Sequence, residues 1–317
     1  MKQTVSSYID DLFIQLDTIS CEQLIAHLKR WGLVTKPSEI LGDPAGVRVL
    51  GLKVGDDLNW GRDSQIPDID VTQNLTRREV SAYNIGTLLG HFPVAGWLRV
   101  VCGYLQRLIS EDNIGWDDRV SLEVKECLRK IKSRLEVDDP VKGQWVVDSD
   151  APLTVWADAS SLAIGVVLQV NGQVIEDASW LRPKNDTAHI NKSELEAVIR
   201  GLNLAVQWCY KTINVMTDSS NVFSWLQNTI NKTKNVKTRA LEGLLIRRRL
   251  GAIAELIQEE NLSVTVKLVK SCENKADVLT TIPANFILKK EEHHRPTIYS
   301  FDDIKAIHES RPKSFWG

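Results

Sequence analysis

Leu153-Thr-Val-Trp-Ala-Asp-Ala-Ser160 alternates as a β-strand does, with Leu153, Val155 and Ala157 on one face and Thr154, Trp156 and Asp158 on the other. Two further apolar runs follow, Leu162 to Val170 and Gln173 to Trp180. The Asn171-Gly172 pair between them suits a two-residue hairpin turn, so the three runs form a meander. The first strand ends on a carboxylate. An acid in that position ordinarily starts a turn, so the meaning of Asp158 depends on what the fold brings beside it.

After the meander the period changes. A long helix is expected from about Lys192 to Cys209, then a strand over Ile213–Thr217 and a short helix through Leu226. A basic linker leads to a helix over Arg239–Glu259, a strand over Ser263–Val269 and a final helix from about Lys275. Three strands, then alternating helices and strands, give an α/β plan with a five-stranded mixed sheet and flanking helices.

Upstream, the two apolar runs of Val5–Leu16 around Asp10-Asp11 read as a hairpin with two acids at its tip. Ser20 and Gln23 form a capping box for a helix to about Trp31, with Leu24, Ile25, Leu28 and Trp31 on one face. Arg48–Val54 reads as one strand and Gly55–Asp70 as a polar loop. Three helices come next. Thr76 with Glu79 caps the first, stapled by Leu75 and Val80 and stopped near Pro93; the second spans Trp97–Ile109 and the third starts from Asp118. Asp138-Asp-Pro-Val-Lys-Gly143 breaks the pattern and marks a boundary.

At 317 residues there is room for about two domains. The net charge of −2 means that any nucleic-acid surface is local. Five well-separated cysteines, four in apolar helical patterns, read as reduced core thiols of an intracellular protein. No apolar run approaches the roughly 20 residues of a membrane span, and no signal peptide is expected. The ten tryptophans fall mostly in apolar patterns and read as core.

Asp218 follows the fourth strand, so if that strand neighbours the first, Asp158 and Asp218 emerge at one sheet edge. On a helical wheel Glu194 lies at the edge of the stripe Leu195, Val198, Ile199, Leu202, Val206 and Cys209, whereas Glu196 falls on the solvent face. A carboxylate facing a sheet demands something cationic. Asp277 opens the last helix, where an acid also serves simply as a helix start. Converging acids call for a hard divalent cation such as Mg²⁺, and two metals about 4 Å apart are the usual device for in-line attack on a phosphodiester. His189 lacks companions at ligand spacing and reads as a loop residue. The basic segment Lys232, Lys234, Lys237, Arg239, Arg247, Arg248 and Arg249 reads either as a phosphate-tracking patch or as a solvated helix face.

Nearly the whole chain resembles the pol polyprotein of gypsy-like LTR retrotransposons, from the second half of reverse transcriptase through ribonuclease H. Tyr8-Ile-Asp-Asp11 resembles the polymerase hairpin, and Gly96-Trp97 and Trp116-Asp-Asp118 resemble the thumb and connection. Asp158-Ala-Ser160, Glu194-Leu195, Thr217-Asp-Ser219 and Asn274-Lys-Ala-Asp277 match the ribonuclease H motifs in order. The resemblance implies a ribonuclease H-like domain over 144–285, preceded by a partial palm (1–70) and a helical thumb or connection (71–143). It implies that Asp158, Glu194, Asp218 and Asp277 hold two Mg²⁺ ions, with Mn²⁺ as a substitute, and that the RNA strand of an RNA–DNA hybrid is cut. Ser160 and Asn191 would lie beside the hybrid, and Lys232, Lys234, Lys237 and Arg239 are further binding candidates. Asp10 and Asp11 are a remnant polymerase site lacking the upstream aspartate, so polymerase activity is not expected from this chain alone. Leu268–Glu273 lacks the histidine that cellular relatives often carry there. In the tail (286–317), Ile304–His308 resembles the start of an integrase zinc region, but Pro312 stands near the expected second histidine and no zinc site is expected.

The partners implied are the remaining Pol segments or an intact reverse-transcriptase subunit, in the cytoplasm or nucleus and away from membranes. The rival expectations are an inactive nucleic-acid-binding remnant and a structural subunit. Convergence of the four acids separates them. An uncovered palm surface is expected to make the chain poorly soluble unless residues up to about Asp139 are removed.

Overall fold

A computed structural model describes residues 5–9, 11–63, 66, 69–186, 188–232, 243–283 and 286. The chain opens with the expected hairpin, β1 (Val5–Tyr8) antiparallel to β2 (Asp11–Ile14). Helix α1 (Cys21–Arg30) has both halves of its capping box, Ser20 accepting from the Gln23 N–H and Gln23 accepting from the Ser20 N–H. None of its residues is buried, and Trp31 is 74% exposed.

Arg48–Val54 is not one strand. It folds back as β3 (Val47–Val49) and β4 (Leu52–Val54) through Leu50-Gly51, both at positive φ. Val47, Val49, Leu52 and Val54 are all buried, so the buried positions change phase by one residue across the turn. The segment read as a polar loop contains β5 (Asn59–Arg62), anchored by buried Trp60. The break at 138–143 carries the chain into β6 (Lys142–Gln144), which pairs with β5 and completes a sheet of order β3-β4-β5-β6.

Between these strands lie the helices. Both halves of the Thr76–Glu79 capping box are present at α2 (Arg77–Ala82). The helix continues as a π-helical segment, Tyr83–Leu89, and ends at Gly90, ahead of Pro93. Helices α3 (Trp97–Glu111) and α4 (Leu122–Leu135) follow. Val80, Leu98, Val101, Leu105, Leu128 and Ile131 pack in one apolar core with the four-stranded sheet.

The second sheet is built from β7 (Leu153–Ala159), β8 (Ala163–Val170), β9 (Gln173–Leu181), β10 (Thr212–Thr217) and β11 (Ser263–Leu268). Its order is β11-β10-β7-β8-β9, with β10 parallel to β7 and β11 and the meander antiparallel. Helices α5 (Ile190–Gln207), α6 (Ser220–Ile230) and α7 (Gly243–Glu259) share a core with one face. Gly201 lets α5 approach, since a Cβ there would stand 2.4 Å from Val155 Cγ1. The other face is covered by α3 and the segment after β11, whose Ile282 and Phe286 are buried in the first core. Asp177 on β9 joins the two parts. It is 3% exposed, accepts the N–H groups of Ala95 and Gly96 and pairs with Arg99.

Several expectations are corrected. The final helix is replaced by two 3₁₀ turns, Ser271–Glu273 and Asp277–Leu279. Asn274 Oδ1 accepts the Ala276 N–H at 3.2 Å, a local bond that competes with helix, and Pro283 cannot continue one. Helix α5 ends before Cys209, which is exposed with φ of 61°. Cys272 is exposed too, whereas burial pushes the thiols of Cys102 and Cys127 up, the latter to about 12. Trp60 and Trp97 are buried, but Trp31, Trp116 and Trp208 are exposed. Glu196 is not a solvent-face acid: it pairs with Arg200 at 3.3 Å and Arg249 at 3.1 Å, tying α5 to α7. Among the described residues no helix is long and apolar enough to cross a membrane.

Candidate active site

Parallel pairing decides where the acids fall. The register that sets Met216 of β10 beside Trp156 of β7 brings Asp218 level with Asp158 when carried two residues further. Both then leave the carboxyl ends of neighbouring parallel strands, where α/β sheets ordinarily bind ligands. Helix α5 crosses this end with Glu194, and Asp277 begins the second 3₁₀ turn after β11.

Each acid has its own surroundings. Asp158 is 9% exposed, and its Oδ2 accepts from Thr280 Oγ1 at 2.6 Å. Burial pushes its carboxyl above the usual range; the Thr280 bond opposes that, while the charges of Asp218 and Asp277 add to it. Glu194 is likewise raised, first by burial. A hydrogen bond from Ser219 and the nearby His189 pull the other way, and Asp218 and Asp158 push further. Its Oε2 is buried with no hydrogen-bond partner. Asp218 accepts from Asn274 Nδ2 at 3.1 Å and from the Ser271 hydroxyl. Asp277 is exposed.

The four acids therefore share one electrostatic neighbourhood. They are not drawn into a closed cage: among the described residues, no three His, Cys, Asp or Glu side chains form a group that could hold a metal ion as they stand. Asp218 is engaged by Ser271 and Asn274, and one oxygen of Asp158 by Thr280. Two features fit a divalent cation nonetheless. The donors are hard oxygens crowded enough to raise one another's proton affinity, and Glu194 Oε2 lacks the partner that a buried carboxylate oxygen requires.

The other expected residues have mixed placements. Ser160 Oγ donates to the Thr280 carbonyl and accepts from the Leu162 and Ala163 N–H groups, so it closes the β7–β8 turn. Asn191 lies in the first turn of α5, where its N–H is accepted by His189 Nδ1 at 3.3 Å. His189 is thus the cap of α5 rather than a plain loop residue. Lys232 is exposed at the end of α6, and Arg247 and Arg248 are exposed on α7. Lys234, Lys237 and Arg239 lie outside the described residues, as do Asp10 and the tail beyond Phe286. Asp11 is exposed at the start of β2. Sequence reasoning missed Thr280 and Ser271, and it named Ser219 and Asn274 only within motifs, without a role for either. For Thr280 and Ser271 the only signal was a polar side chain a few residues from an acid, which is too common to single them out.

The five-stranded sheet with its helices is a ribonuclease H-like fold. Residues 150–272 match a family model described as reverse transcriptase-like, and residues 76–137 match one described as a domain of unknown function. No curated protein matches the chain. A foamy viral protease–reverse transcriptase solved with RNA/DNA hybrid is similar at a TM-score of 0.58 and 20% identity, over 88% of this chain and 37% of that one. The same viral protein in a form designated dRH, solved with double-stranded DNA, gives 0.56 and 18%, over 84% and 46%. The chain thus spans less than half the length of these structures.

Proposed function

We propose that the chain is a metal-dependent endonuclease that hydrolyses the RNA strand of RNA–DNA hybrids, within the polyprotein of a gypsy-like LTR retrotransposon. The observation that carries this reading is the meeting of Asp158 and Asp218 at the ends of paired parallel strands, beside a buried Glu194 whose Oε2 has no partner. The reverse transcriptase-like match over 150–272 supports it, as does likeness to a protein solved with an RNA/DNA hybrid.

In this reading Asp158, Glu194, Asp218 and Asp277 hold two Mg²⁺ ions, with Mn²⁺ as substitute. When bound, such ions supply Lewis acidity for the attack of water on a phosphodiester. The chain's own part is to present carboxylates from four separate segments at one end of the sheet. Asn191, at the rim of α5, and the turn closed by Ser160 would lie along the hybrid, where a 2′-hydroxyl distinguishes RNA from DNA. Lys232, with Lys234, Lys237 and Arg239, would neutralise phosphates nearby. Residues 144–285 form the catalytic unit, 71–143 the thumb or connection and 1–70 a partial palm whose Asp10 and Asp11 do not polymerise alone. Partners are the remaining Pol segments, in cytoplasm or nucleus.

A second reading has one observation in its favour. The acids are not gathered as a ready metal cage, as expected of a nucleic-acid-binding remnant without turnover. Incubation with labelled RNA–DNA hybrid, RNA duplex and DNA duplex in Mg²⁺ separates the two. The nuclease shortens only the RNA of the hybrid. The remnant binds in a salt-sensitive way and cuts nothing.

A further inference from the structure

Thr280 is fully buried, yet nothing in its sequence setting marks it. Its Oγ1 lies 2.6 Å from Asp158 Oδ2 and 3.0 Å from the carbonyl oxygen of Asp277. A hydroxyl has one proton to give, and the charged acceptor is the stronger of the two. One side chain thus touches the first acid and the backbone of the fourth.

The segment around it is seated on the sheet at several points. Ser160 Oγ donates to the Thr280 carbonyl at 2.8 Å, and Ser179 Oγ to the Leu279 carbonyl at 2.6 Å. Asn274 Nδ2 reaches the Ala157 carbonyl and Asp218 Oδ1, each at 3.1 Å. Gly165, opposite Asp158 in the β7–β8 register, makes the close approach feasible. A Cβ there would stand 2.8 Å from Thr280 Cγ2 and from the Ala276 carbonyl oxygen.

Resting on the reading of the four acids as a cation site, we infer that Thr280 is a positioning residue for that site. Its hydroxyl donates to Oδ2 of Asp158, which fixes that oxygen and leaves the other carboxylate oxygen for a cation. Asp158 cannot rotate away without leaving a buried oxygen unpaired.

Two variants of the full chain separate this role from packing. Thr280→Val keeps the shape and removes the hydroxyl, whereas Thr280→Ser keeps the hydroxyl and leaves a methyl-sized gap. Calorimetric titration with Mn²⁺ is expected to show binding weakened roughly tenfold in Thr280→Val, the scale of a lost hydrogen bond to a charged group. The Mg²⁺ needed for half-maximal cleavage rises by the same factor, and the KM for hybrid stays unchanged. Thr280→Ser binds Mn²⁺ like the wild type, even though it melts lower. Wild-type Mn²⁺ affinity in Thr280→Val, or equal loss in both variants, overturns the inference and leaves the cation site standing. A wild-type chain that binds no Mn²⁺ overturns the site itself, and the inference with it.

Discussion

Asp158 and Glu194 hold their protons more tightly folded than unfolded, because burial and neighbouring acids disfavour their charged forms. Between the ordinary carboxylate range and these raised values the folded chain binds more protons, so stability falls as pH rises through that window. Replacing Glu194 by Gln removes the charge and keeps the shape. In metal-free buffer at pH 7 the variant is expected to melt about 1–4 °C higher. Calorimetry across pH should show the gain shrinking as pH drops through the window and wild-type Glu194 takes up its own proton. A lower melting point, or a gain independent of pH, contradicts this. Glu194 was legible in the sequence because a carboxylate at the edge of an apolar helical stripe is a local oddity. Thr280 was not, since its meaning comes from a contact 122 residues away.

Helices and strands with their own periodicity were legible; elements made by tertiary contact were not. The meander, α5 and both capping boxes follow from local pattern. The β3–β4 fold-back was hidden because Leu50, Leu52 and Val54 alternate in the sequence straight across the turn, and β5 because Trp60 is its one buried side chain. The start of α3 at Trp97 was legible from its periodicity, but what caps it was not. Its cap residue, Gly96, offers no side chain, and Asp177 of β9 supplies the acceptor from across the molecule. Removing that carboxylate strips two N–H groups of their partner and leaves Arg99 uncompensated. Asp177→Ala is therefore expected to cost about 3–5 kcal/mol in denaturant unfolding. A cost below about 1 kcal/mol would mean that water replaces Asp177 at this junction.

The two parts of the molecule share buried contacts across the place where the sequence was expected to divide them. Cutting near Asp139 would remove the partners of Asp177 and bare Ala163, Ile282 and Phe286, which are buried in the helical core. Exposed apolar side chains are densest earlier, at Ile9, Trp31, Leu33, Val34 and Ile40, with others such as Leu122, Val137 and Leu244 scattered further along. A chain starting near residue 46 is thus expected to be more soluble than the full chain, and one starting near residue 140 to melt lower and self-associate. Light scattering and thermal melts of the three chains check this; a well-behaved short chain would contradict it. The acids at the ends of β7 and β10 carry the proposed function. Its most direct test is cleavage of an RNA–DNA hybrid, labelled on the RNA strand, by the wild type and Asp218→Asn side by side in Mg²⁺. Short RNA products are expected from the wild type and none from the variant, with hybrid binding retained by both. Equal cutting by the variant, or none by the wild type, contradicts that function.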